Sequence, residues 1–289
     1  NPQGGLLHQT RSIILIKPLD HQDWTYYPEH IQIDGLEVRS ANANNTFTDN
    51  KQIRRQYVDF GACIWIERGH NITIANNVIH DCGNGVFSKS SLDASQVGDT
   101  TEFSVTKNIR LSGNHAYGNG VYTGQDGIGN AGGHNFYIES RNVVYEFNHL
   151  GNLHSTGRGA TVKDRSAGVV VRYNRIEEGP GKALALVEAE DYGQEAINLP
   201  EYRHTYVYGN QIYRSVDTGL PIQYGGDHQG SEPYFHKGTL WFYHNTIVFA
   251  GANPYRFMFQ LSTTDERGEL WNNVLMFSGT YEQIAFRNG

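Results

Sequence analysis

Apolar residues along this chain recur in one short frame: apolar, any, apolar, two of any kind, asparagine, any, apolar. It reads Ile72-x-Ile74-x-x-Asn77-x-Ile79, Ile109-x-Leu111-x-x-Asn114-x-Ala116, Val143-x-Tyr145-x-x-Asn148-x-Leu150 and Val169-x-Val171-x-x-Asn174-x-Ile176. Three more copies are anchored at Asn210, Asn245 and Asn273, and a degenerate copy carries Ile31, Ile33 and Val38 with Leu36 at the anchor. From Leu36 to Asn273 the mean interval is about 34 residues. Alternation with period two predicts strands, and no long segment offers the i, i+3, i+4, i+7 spacing of a helix. After each anchor comes a Gly-rich turn and a second apolar stretch, as at Val86-Phe87, Phe136-Tyr137-Ile138 and Ile222-Gln223-Tyr224. Such strands cannot bury a face alone, so each repeat must stack on the next. The anchor asparagine suits this, because its amide both donates and accepts from coil to coil and tolerates the left-handed backbone of a corner. Ser12 to Ile16 read as a buried strand.

The repeat resembles the right-handed parallel β-helix of the pectate-lyase-like superfamily over nearly the whole chain. That resemblance implies an all-β, single-domain column of about eight coils. Thirty-four residues exceed what a bare coil needs, and the excess falls in 41–59, 90–103, 117–134, 191–203 and 225–238. Most of these leave near a second strand, which predicts long loops flanking one sheet and a groove over it.

Composition sharpens this picture only in places. There are 33 Gly, and lysine plus arginine number 23 against 30 acidic residues, a net charge of −7 that gives no field for nucleic acid. No apolar run approaches the roughly 20 residues of a membrane helix, so membrane insertion is not expected. Cys63 and Cys82 allow one disulfide. The opening Asn1-Pro2-Gln3-Gly4, with no start Met or signal peptide, reads as a trimmed fragment of a secreted or cell-surface bacterial protein.

Charge is segregated. Residues 141–182 hold seven basic side chains against four acidic, whereas 183–201 hold five acidic and none basic. A basic coil beside an acidic one suits a polysaccharide rich in uronate. Lys163-Asp164-Arg165 is the leading catalytic constellation, since uronan β-elimination must neutralise a carboxylate, remove the α-proton and protonate the leaving oxygen. Here Lys163 is the expected base, its pKa lowered by neighbouring charge, and Arg165 the neutraliser; the plainer reading is a surface ladder in which Asp164 pairs with a base. Glu188, Glu190 and Asp191 are the expected metal ligands, two of them on one strand face, with calcium as the cation; salt bridges to Lys163 or Arg165 are the alternative. Glu139, His134 and Tyr224 join the catalytic set. Arg141, Lys89, Asp126, Gln223, Asp227 and His228 are expected to bind substrate. Stacked in register, the ends of the second strands would form one polar strip.

The stretch from Ala160 to Lys163 and on to Leu186 is similar to the alginate lyase and chondroitinase B family, and that resemblance places Lys163 at the base position. The family's arginine position holds Val187 followed by Glu188, and its calcium-binding acidic pair is replaced by Arg158-Gly159-Ala160. Lys163-Asp164-Arg165-Ser166 more closely resembles a segment of uncharacterised bacterial β-helix proteins. The function expected is therefore a polysaccharide lyase. The alternatives are a glycoside hydrolase with paired carboxylates and a non-catalytic glycan-binding surface module.

Overall fold

Each repeat closes one turn of a right-handed parallel β-helix of about eight coils. A computed structural model describes residues 8–19, 24–90, 103–120, 132–178, 181–214, 221–250, 257–277 and 285–288. Each coil contributes one strand to each of three parallel sheets. Sheet A stacks nine strands, from Ser12–Ile16 through Ala62–Glu67, Asn84–Lys89, Phe136–Ile138, Val162–Asp164, Leu184–Leu186, Ile222–Tyr224 and Phe257–Leu261 to Ala285–Asn288. The repeat frame supplies the other two: its apolar-x-apolar half builds sheet B, as in Arg141–Glu146, and the residues after the asparagine build sheet C, as in His149–Leu150. The strand Ser12–Ile16 ends sheet A with one neighbour, and Ile13 is exposed, so it is an edge rather than a buried strand.

Register makes like positions pile up. Ile74, Leu111, Tyr145, Val171, Val207 and Phe242 pair in succession through sheet B, and each is fully buried inside the column. The anchors form an unbroken ladder at the corner between sheets B and C. From Asn77 through Asn245, each Nδ2 donates to the Oδ1 of the next anchor at 2.9–3.2 Å. The same oxygen accepts the backbone N–H of the preceding anchor, and each Nδ2 also reaches a sheet B carbonyl, Leu111 O in the case of Asn148. At the degenerate end, the backbone N–H of Leu36 donates to Asn77 Oδ1 at 2.9 Å. The left-handed residue is the one before each anchor, not the anchor itself: Gly35, Asn76, Gly113, Phe147, Tyr173, Gly209, His244 and Asn272 all have φ between 53° and 71°. A second, exposed ladder joins Asn71, Asn108 and Asn142, themselves left-handed, at 2.9 and 3.1 Å.

All five insertions join the column at an edge of sheet A. The first carries the hairpin Thr46–Thr48 and Arg54–Gln56. The fourth carries the short helix Gly193–Ala196 and the 3₁₀ turn Pro200–Arg203, whose Tyr192 and Tyr202 pack with Val105, Ala167, Ala189 and Ala196. Cys63 and Cys82, on successive coils, are joined by a disulfide with Cα atoms 5.6 Å apart.

Removing one rung leaves buried donors and acceptors on both neighbours without partners. Asn148→Ala should therefore lower unfolding stability by about 2–4 kcal/mol in a urea titration, whereas Asn71→Ala on the exposed ladder should change it by less than about 1 kcal/mol.

Candidate functional site

Strand alternation sorts the predicted residues before any chemistry is considered. The outward row of sheet A reads Leu15, Trp65, Phe87, Tyr137, Lys163, Ala185, Gln223, Gln260. Lys163 faces out, so its neighbour Asp164 faces in: it is fully buried and accepts from the Tyr145 hydroxyl and from Ser166 N at 2.8 Å. Burial pushes Asp164 up to about 6, against the lowering effect of those hydrogen bonds. Tyr224 likewise points into the core with no exposed surface, not outward to a sugar. Arg141 lies at the start of sheet B and binds Glu201 at 2.7 Å. These three expectations are corrected by placement inside the column or beside a different sheet. Asp126 lies outside the described residues.

The remaining charged residues meet at one corner of sheet A, though not as a single register row, since Lys163 pairs with Ala185 and Glu188 follows two residues after the strand. Arg165 is the hub, with its side chain 1% exposed. Its Nε donates to the Tyr137 hydroxyl at 2.9 Å, its NH1 to Glu188 O at 2.8 Å, and its NH2 to Asp227 Oδ1 at 2.9 Å. Glu188 Oε2 and Glu190 Oε2 each lie 3.4 Å from the guanidinium. The cation shared by Glu188 and Glu190 is thus Arg165 itself. Burial works against its charge, but Tyr137, Asp227 and Glu188 together hold it protonated well above the ordinary arginine range. With its donors spent internally, Arg165 positions other groups rather than meeting a substrate.

Lys163 Nζ donates to the other oxygen of Asp227 at 2.8 Å. Burial and Arg165 lower the Lys163 pKa, opposed by Asp227. Burial would raise Asp227, yet Lys163 and Arg165 outweigh it and hold the carboxyl far below the usual range. Glu188 is buried and accepts the backbone N–H groups of Asp227 and His228 at 2.9 Å each, which draws residues 227–228 over sheet A. Its Oε1 also lies 3.1 Å from His228 Nδ1, while His228 Nε2 faces Arg165 NH2 at 3.4 Å. Because arginine only donates, Nε2 is the acceptor and the imidazole proton sits on Nδ1, towards Glu188.

His134 lies under this corner, its Nδ1 bonded to Ala160 O at 2.8 Å and its ring edge-on to Tyr137 at 5.1 Å. Burial, and then the charge of Lys163, lower it to about 3, so it stays neutral. Gly159 is required beside it, since a Cβ there would come within 2.6 Å of the ring. Gln223 is buried and donates to Gly226 O at 2.9 Å. Lys89 stands at the rim, 3.8 Å from Asp191.

Glu139 fastens the acidic segment from below. Its Oε2 accepts the backbone N–H groups of Glu190 and Asp191 at 2.8 and 3.0 Å, and its Oε1 has no donor among the described residues. Burial first, then the Asp191 carboxylate, push Glu139 up to about 8, so it keeps a proton facing Asp191 at neutral pH. Asp191 is raised too, mainly by burial, with Lys89 pulling the other way.

Glu188, Glu190 and Asp191 do not converge as a ligand set: Arg165 lies between the first two, and Asp191 turns to Glu139 and Lys89. Among the described residues, Glu188, Asp227 and His228 bring ligand atoms within 4.8 Å of one another. Arg165 and Lys163 lie at contact distance from the Asp227 carboxylate of this group. Tyr137 and the outward aromatics Trp65 and Phe87 were absent from the sequence-derived set. Aligning Ile64-Trp65-Ile66, Val86-Phe87, Phe136-Tyr137-Ile138 and Val162-Lys163 on strand parity places them in one row with Lys163.

Comparison of the chain with protein-family models, curated proteins and solved structures finds no match in any of the three.

Arg165→Met strands Glu188 and Asp227 without their buried counter-charge and should cost about 3–5 kcal/mol in chemical unfolding. Glu139 sets a pH slope. Its ordinary value is 4.5 and its folded value about 8, so between those limits the native state binds the extra proton and stability falls as pH rises. Below about pH 6.5 the buried neutral His134 contributes the opposite slope and Asp164 adds to that of Glu139, so the Glu139 effect is read between about pH 6.5 and 8: there the unfolding free energy from urea titration should drop by at most about 1.4 kcal/mol per pH unit, and Glu139→Gln should flatten it.

Proposed function

We propose that this protein is a lyase that cleaves an acidic, uronate-containing polysaccharide by β-elimination, a member in kind of the pectate-lyase-like β-helices. One observation carries the reading: a half-desolvated lysine, Lys163, and a carboxylate-backed imidazole, His228, stand on either side of Arg165–Asp227 at the outward face of one sheet. Lys163 has ammonium protons beyond the one given to Asp227, and these meet the uronate carboxylate and acidify the α-carbon. Lys163 Nζ is turned to Asp227 at 2.8 Å and serves the carboxylate, so the base in this reading is His228 rather than Lys163. On substrate binding His228 Nε2 gives up its 3.4 Å contact with Arg165 NH2 and takes the α-proton, the C–H electron pair forms the new double bond, and the bond to the leaving glycosidic oxygen breaks. The imidazolium, stabilised by Glu188, then returns that proton to the leaving oxygen, so one residue serves as base and acid. Arg165 keeps Asp227, Glu188 and Tyr137 in place. No step is routed through a metal. The Cys63–Cys82 disulfide supports a secreted or cell-surface location.

The test is incubation with a panel of uronans, with and without chelator, followed by ultraviolet absorbance of the unsaturated product. Absorbance should rise and survive chelation. His228→Ala should lower kcat by about 10²–10⁴ with little change in KM, and Lys163→Ala should chiefly raise KM. Reducing ends without absorbance would instead mark a hydrolase, and binding without either product a glycan-binding module.

A further inference from the structure

The outward row of sheet A is the track on which a polysaccharide lying along the column would rest, and it is covered on both sides of Lys163. Trp65 is 4% exposed, with the Arg11 guanidinium 5.5 Å above its ring, Phe60 at 6.4 Å and Phe87 at 4.2 Å. These neighbours occupy the indole, so it offers no face to a sugar. On the other side, Ala185 is 3% and Gln223 4% exposed. Ala185 packs with Ala160 and Val187, and Gln223 is tied to Gly226, whose own N–H is bound by Ser262 Oγ at 2.9 Å. The loop at Asp227 and His228 is held over this part of the sheet by Glu188 and Lys163.

Between these two covered stretches, among the described residues, the row leaves Phe87, Tyr137 and Lys163 half-buried, with His228 exposed at the rim; Leu15 and Gln260, also half-buried, lie beyond the covered stretches at the two ends. That window spans two coil steps, on the order of 10 Å. It has room for about two pyranose units along the column axis at one unit per coil step. A threaded chain needs an uncovered floor before and after the cleaved bond, and neither Trp65 nor Ala185–Gln223 provides one.

The geometry points to a site that takes the end of an acidic chain, about two sugar units, rather than the middle of a threaded one. This rests on the lyase reading given above and adds the mode of attack: short products are released from a terminus. Phe87 and Tyr137 form the wall against which the terminal units lie, and Lys163 with His228 defines the cleaved linkage.

Two measurements separate this inference from the reading beneath it. Calorimetric titration of His228→Ala, which should not turn over substrate, with uronate di-, tetra- and octasaccharides should give molar affinities equal within about threefold. Affinity that climbs about tenfold or more with length means that further sugars are engaged along the column, and overturns it. With wild type, viscosity should hold nearly constant while ultraviolet absorbance rises, and the first products should be one or two units long. An early viscosity collapse with a ladder of intermediate oligosaccharides also overturns it. Length-independent binding with no absorbance from any uronan leaves the chain-end site standing and sinks the lyase chemistry. Absence of binding to every oligouronate sinks both.

Discussion

Coil-to-coil register is the constraint from which the rest of the molecule follows. Parallel strands permit any whole-residue slip unless something fixes it, and a slip by one would turn Ile74, Leu111 and Tyr145 out and their charged neighbours in. The anchor asparagines remove that freedom. Each amide is bonded above, below and across to a sheet B carbonyl, so no rung can shift without breaking several bonds at once. The left-handed residue before each rung turns the chain between sheets, and this position tolerates Phe147, Tyr173 and His244 as well as glycine. Those bulky residues carry a local backbone cost that the ladder evidently overcomes.

Fixed register in turn lets a dense charge network exist. Lys163 and Asp227 are 64 residues apart in sequence and 2.8 Å apart in space. Arg165 sits beneath them with almost no exposed surface and satisfies groups from three neighbouring coils: Tyr137, Glu188 with Glu190, and Asp227. A buried guanidinium is tolerable only when every donor is met at a defined position, which requires a frame that does not drift. The network therefore depends on the ladder, and whatever chemistry the corner performs depends on both.

The sequence made the fold largely legible because the anchors are periodic and local: seven asparagines in one frame, each flanked by inward apolar residues. The corner chemistry was legible only in part. Lys163, Arg165, Glu139, Glu188 and His228 stood out as charged or titratable groups near strand ends, and they do meet. Asp164 and Tyr224 misled because short polar runs look like surface, while in three-residue strands one partner of each pair must face the core. Asp164 is accommodated there by Tyr145, which reaches it from sheet B across the interior, a contact no local pattern encodes. For Glu188 and Glu190 the sequence offered two partners, a metal cation or a base one coil away, and Arg165 of the preceding coil does approach both.

All five long insertions attach beside sheet A, while the turns between sheets B and C are short and carry the ladder. The two kinds of corner thus differ in how they absorb insertions and deletions. One extra residue at an asparagine corner would throw every later strand onto the wrong face, whereas several added beside sheet A would leave the column intact. The molecule is in effect divided into a ruler and a workbench, so lineages can rebuild the corner without renegotiating the architecture that supports it.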